Sequence, residues 1–184
     1  VQILSEKGQN MSEGRDLGFL EKAMRLIPGY KGYKSKEERR DNDQLFRTGL
    51  VSRLERLRTD INEIPASLRG PAALKSITDF DRILKRLEKV TDEIRFAARG
   101  YRGWFDMHKV REDELDKLYS FDIGLVENIE ELDESFMILQ AAAAAGSDLK
   151  ESIDEMVAIL IEFSSKMSER SELMIDLEKN IPND

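Results

Sequence analysis

Residues 46–64 read FRTGLVSRLERLRTDINEI, and the spacing of their apolar side chains decides the fold class. Phe46, Leu50, Leu54, Leu57, Ile61 and Ile64 recur every three or four residues, so they share one stripe of a helix with 3.6 residues per turn. Arginine, glutamate, aspartate and asparagine fill the positions between them and take the solvated face. The strict alternation that a half-buried strand requires appears neither here nor elsewhere in the chain.

Pro65 closes this stripe, and Gly70-Pro71 opens the next helix, whose seam follows Leu74, Ile77, Phe80, Leu84, Leu87, Thr91, Ile94 and Ala98. A further helix starts between Asp106 and Asp113 and carries Leu115, Leu118, Asp122, Leu125, Ile129, Leu132, Phe136 and Leu139. The run Ala141 to Ala145 predicts a helix end closely packed on a neighbour, and Gly146 is placed to terminate it. Asp148 with Glu151 caps the last helix, with its seam at Leu149, Ile153, Met156, Leu160, Phe163, Met167, Met174 and Leu177. On the N-terminal side, Ser35 with Glu38 forms a capping box for the helix that holds the opening stretch. Before it, Leu17, Leu20, Met24 and Ile27 mark a short helix from about Ser12 that stops at Pro28-Gly29.

Helices of roughly 28 to 39 residues, about 42 to 58 Å long, joined by short connections predict an all-α, antiparallel up-and-down four-helix bundle with a short additional N-terminal helix. Residues 1–11 carry no foldable pattern and are expected to form a loose tail; residues 12–184 are expected to form a single domain, with Val1 or Met11 as the natural start.

Composition narrows the chemistry. The 184 residues are 36% charged and include no cysteine and one histidine, His108. Disulfides, thiolate nucleophiles and cysteine-held metals are therefore excluded. A di-iron bundle needs paired Glu-x-x-His turns, which one histidine cannot supply. Glu127, Glu131, Glu134, Asp148, Glu151, Asp154 and Glu155 of the last two helices lie mostly off the apolar seams and read as a solvated face. No catalytic residue, metal site or cofactor is expected, and the protein is read as non-enzymatic. No apolar run is long enough for a membrane span, and a cytoplasmic location is the default expectation.

Charge is unevenly divided. Residues 1–111 hold 24 Lys and Arg against 17 Asp and Glu, a net +7, whereas residues 112–184 hold 5 against 20, a net −15. Either the two halves neutralise each other, or the basic half offers a surface to anionic partners.

Two short motifs concentrate that basic character. Gly29-Tyr30-Lys31-Gly32-Tyr33-Lys34 and Gly100-Tyr101-Arg102-Gly103-Trp104 both read glycine, aromatic, base, glycine, aromatic, each between two helical patterns. Alternating helix directions would bring both to one pole. There Tyr30, Lys31, Tyr33, Lys34, Arg39, Arg40, Tyr101, Arg102 and Trp104 form a candidate binding set. A helix N-terminus aimed at the same pole favours anions. The alternative reading is a structural cap whose aromatics close the core. A second candidate set is polar residues in core phase: Arg39, Asp43, Asp122 and Arg170, which a buried ionic network would satisfy.

The block Ile27-Pro28-Gly29-Tyr30-Lys31-Gly32-Tyr33-Lys34, followed by Lys36-Glu37-Glu38-Arg39-Arg40-Asp41-Asn42-Asp43, resembles the N-terminal block of an uncharacterised family of prokaryotic helical proteins. The shared pattern is PGYxGYxxKExRRxxD. The resemblance implies that this block is the family's signature, and it implies no activity. The function expected from the residues is an interaction or scaffold protein that binds an acidic partner through the Gly-aromatic-basic pole. A binder or sensor of small phosphate-bearing anions is the alternative. A protein partner ranks above an anionic lipid surface or nucleic acid, and helices this long are also able to pair between copies.

Overall fold

The computed structural model describes residues 20–32, 38–68, 71–97 and 112–179. These residues are helical with short turns and include no strand. Residues 20–26 form α1, followed by α2 (Arg39–Ser67), α3 (Pro71–Ala97), α4 (Glu112–Ala145) and α5 (Lys150–Lys179).

All six seam residues of the opening stretch are buried on α2, five of them at 0–1% exposure. The helix does not stop at Pro65. It runs two residues further, and the Leu68 amide donates to the Pro65 carbonyl at 3.3 Å. A proline near a helix end removes only one backbone donor, which the last turn tolerates. At the other end Glu38 occupies the N-cap position without a side-chain cap bond, and Ser35 lies outside the described residues.

On α3 the buried stripe is Phe80, Ile83, Leu87, Val90, Thr91 and Ile94. Leu84 is only partly buried and Ile77 is 55% exposed, so the face is rotated from the expected seam toward Ile83 and Val90. The cause is packing: α3 is covered by both α2 and α5. The polar Thr91 is accommodated because its hydroxyl donates to the Leu87 carbonyl at 2.7 Å. On α1 a similar rotation buries Ala23 and Ile27 and leaves Met24 48% exposed.

α4 and α5 are in contact, and Leu125, Ile129, Leu132 and Leu139 of α4 share one continuous core with Met156, Leu160 and Phe163 of α5. Packing joins α2 to α3 and α4, and α5 to α3 and α4, so α3 lies beside α5 and not comparably beside α4. Polar contacts mark the register. Arg170 reaches Asp122 and Lys166 reaches the Gly124 carbonyl between α5 and α4. Arg82 pairs with Asp154, and Ser164 donates to Glu93 at 2.5 Å, between α3 and α5. Arg53 bonds Asp133 between α2 and α4 at 2.6 and 3.0 Å. Glu55 and Arg95 join α2 to α3.

Gly146 takes φ +68° to end α4, and its amide and that of Ser147 return to the Ala143 and Ala142 carbonyls. The Asp148 side chain then accepts the Lys150 amide at 2.9 Å, which caps α5. The alanine run is packed on one side only: Ala142 and Ala143 are partly buried against the core. Ala141, Ala144 and Ala145 are exposed.

Candidate functional site

The corner between α1 and α2 is built by three glycine contacts and one aromatic pair. Gly29 and Gly32 adopt φ +92° and +73°, a region closed to most side chains. The two turns drive Tyr30 inward, where it is 0% exposed and its ring lies 5.3 Å from that of Phe46, tilted by 42°. The Lys31 amide donates to Asn42 Oδ1 at 3.3 Å, and Gly32 backs onto the Tyr119 ring of α4. Within α2, Gly49 makes this docking possible: a Cβ there would stand 2.5 Å from Ile27 Cγ1 and 3.1 Å from Ile27 Cβ. A glycine in mid-helix is the sequence signal for such close approach. Lys22 adds a tie from α1 to Glu130 of α4 at 2.7 Å, and that carboxylate raises the Lys22 ammonium above its ordinary pKa.

Beneath the corner lies a buried ionic network. Arg170 of α5 is 0% exposed. Its Nη2 donates to Asp43 Oδ1 of α2 at 2.6 Å and its Nε to Asp122 Oδ1 of α4 at 2.8 Å. Its Nη1 lies 3.5 Å from Met174 Sδ. Arg47 brings a second guanidinium to Asp43 Oδ2, at 2.7 Å through Nη2 and 2.9 Å through Nε. Three helices are thus joined by charge-assisted hydrogen bonds in a water-poor setting, where each is stronger than its surface counterpart. Both carboxylates and Arg170 are almost fully buried, so each depends on the others for solvation.

The residues singled out in the sequence take different positions. Asp43, Asp122 and Arg170 come together in this network. Arg39 is buried at 7% exposure, and burial pushes its guanidinium pKa below the ordinary value. Tyr30 belongs to the core and offers no open ring. Lys31 and Arg40 are exposed, with Lys31 Nζ 3.6 Å from Glu38. Tyr33, Lys34, Tyr101, Arg102 and Trp104 lie outside the described residues. Arg47, Asn42 and Tyr119 belong to the corner although the motif reading passed over them. Arg47 follows Asp43 by one helical turn, the spacing at which such pairs meet.

Among the described residues, no group of three or more His, Cys, Asp or Glu is arranged to hold a metal ion, and no helix is long and apolar enough to cross a membrane. Compared with known proteins, the chain matches no family model, no curated protein and no solved structure.

Proposed function

We propose that the protein is a non-enzymatic interaction protein, a four-helix bundle whose Gly-aromatic-basic corner receives an acidic partner. The bundle reading is supported by the order of the cross-links. Between α4 and α5, position 122 pairs with 170 and 124 with 166, so these helices run in opposite directions. Between α3 and α5, 82 pairs with 154 and 93 with 164, so these run together. Two hairpins, α2–α3 and α4–α5, then lie side by side with like directions adjacent.

The observation that carries the function is the construction of the corner. A backbone pinned to Asn42, Phe46 and Tyr119 holds Lys31 and Arg40 toward solvent, so little ordering remains to be done on binding. The buried network keeps α2, α4 and α5 fixed beneath it. Tyr30 serves as the wall of the corner, and contact falls to Lys31 and Arg40, with Tyr33, Lys34, Arg102 and Trp104 as further candidates. Arg39 supports from below.

The test uses three anionic probes: a Glu/Asp-rich peptide, phosphatidylserine vesicles and a single-stranded oligonucleotide, each titrated at several salt concentrations. Screening over about 8 Å at physiological ionic strength should weaken binding as salt rises. Lys31→Glu with Arg40→Glu should weaken binding to the preferred probe and flatten its salt dependence at unchanged melting temperature. Failure of all three probes to bind at low salt would overturn the reading.

A further inference from the structure

Six positions on α4 fall on one stripe with alternating steps of four and three: Glu127, Glu131, Glu134, Ile138, Ala141 and Ala145. All six are exposed, on the side of the helix opposite Leu132 and Leu139. Such a stripe is the seam of a helix–helix contact, and it divides sharply into a carboxylate half and an apolar half. Met137 at 60% exposure and Ile138 at 55% widen the apolar half, and no charged residue occurs between Phe136 and Ser147 in a chain that is 36% charged. Among the described residues no salt bridge forms to Glu127, Glu131 or Glu134; Lys22, which is bonded to Glu130, attracts Glu127 through space, and Glu131 accepts from Asn128 at 3.1 Å. Exposed Glu155 of α5 forms no salt bridge among the described residues. The last turn of α4 contains no basic residue, so the negative end of the helix dipole also stands unneutralised there.

We propose that this outer face of α4 docks a cationic amphipathic helix of a partner protein. Its lysines or arginines would lie over Glu127, Glu131 and Glu134, and its apolar turns over Met137, Ile138, Ala141 and Ala145. Alanines at the contact allow the two axes to approach to the short end of the usual range, about 8 Å. Charge complementarity selects this occupant over a second copy of the chain. A second copy laid parallel on the stripe would set glutamate against glutamate. Laid antiparallel, it would cover glutamates with alanines and leave them unpaired. The inference differs from the corner reading in the sign of the charge it uses, although Lys22 of α1 borders the Glu127 end of the stripe.

The experiment titrates the full chain with a synthetic helical peptide carrying leucine on its seam, lysine toward one end and alanine toward the other. A second peptide replaces each lysine by glutamine. The lysine peptide should bind at least about tenfold more tightly at low salt. Met137→Ser with Ile138→Ser should weaken it about tenfold, through lost apolar contact, with the salt slope unchanged. Glu131→Gln with Glu134→Gln should instead reduce the salt slope. These residues are exposed, so melting temperatures should hold. Equal binding of the two peptides would overturn the proposal, as would binding indifferent to Met137 and Ile138, which is diffuse charge attraction. Sedimentation showing a dimer that these serine substitutions dissociate would assign the face to a second copy instead.

Discussion

Replacing Arg170 by methionine isolates the network's contribution to stability. Methionine keeps most of the side-chain volume and sits beside Met174, so the change removes charge and hydrogen bonds with little cavity. Two charge-assisted bonds to described residues, at 2.6 and 2.8 Å, are lost. At about 1.5–3 kcal/mol each they suggest a loss of about 3–6 kcal/mol. The direct comparison, removal of one partner from a buried ion pair, gives about 3–5 kcal/mol. The two routes agree, and a loss of about 4 kcal/mol is expected from urea unfolding followed by helical circular dichroism. The network's asymmetry supplies an internal control. Asp43→Ala leaves Arg170 bonded to Asp122, and it releases Arg47, whose side chain is 12% exposed and turns to water. That variant should lose about 1–3 kcal/mol. Replacing all three buried charges, Asp43→Leu, Asp122→Leu and Arg170→Met, should recover stability to within about 2 kcal/mol of the original. A loss below about 1 kcal/mol in Arg170→Met, or a triple variant weaker than that single one, would refute the reasoning.

Gly49→Ala gains helix propensity of about 1 kcal/mol but drives a Cβ into Ile27, whose own Cβ cannot rotate away. A net loss of about 1–2 kcal/mol is expected, with faster amide exchange over residues 20–32, and Ile27→Ala in the same chain should remove the conflict. Leu132→Ala, at a position with 0% exposure, should cost about 2–5 kcal/mol, and Leu84→Ala clearly less because Leu84 is only partly buried. Gly146→Ala meets no atom within 4 Å, so any loss in melting temperature, corresponding to about 1 kcal/mol, measures the positive φ alone.

Helix identity was legible because the apolar spacing is long and uninterrupted, as on α2, where every seam residue is buried. Helix rotation was less so. On α3 both Phe80-Leu84-Leu87-Thr91 and Phe80-Ile83-Leu87-Val90 are seams of acceptable spacing, and only the two neighbours of α3 decide between them. Asp122 was conspicuous as a carboxylate in core phase, and Arg170 as a base in the gap between Met167 and Met174. The partners they meet depend on which helices lie side by side, which periodicity does not encode. In the sequence Tyr30 reads either as part of a basic binding pole or as a cap on the core, and its neighbours do not decide between them. Its burial follows from the positive φ at Gly29 and Gly32, a backbone property that the glycines permit without specifying where the chain then turns. The alanine run signals helix equally well whether covered or bare, so its partial exposure required the packing of α4 to be known.

The network's sequence spacing has a consequence for the chain during synthesis. Arg170 meets Asp43 across 127 residues and Asp122 across 48. Both carboxylates have therefore left the ribosome before the arginine that neutralises them has been made. Until then, bringing α2 beside α4 would set Asp43 near Asp122 without the guanidinium that bridges the two. That early pairing is disfavoured electrostatically. The α2–α3 pair, whose mutual contacts need nothing from later in the chain, is free to form at once. Docking of α4 onto it gains this guanidinium only once α5 has been made. The bridge among Asp43, Asp122 and Arg170 is thus a contact that only the nearly complete chain is able to make.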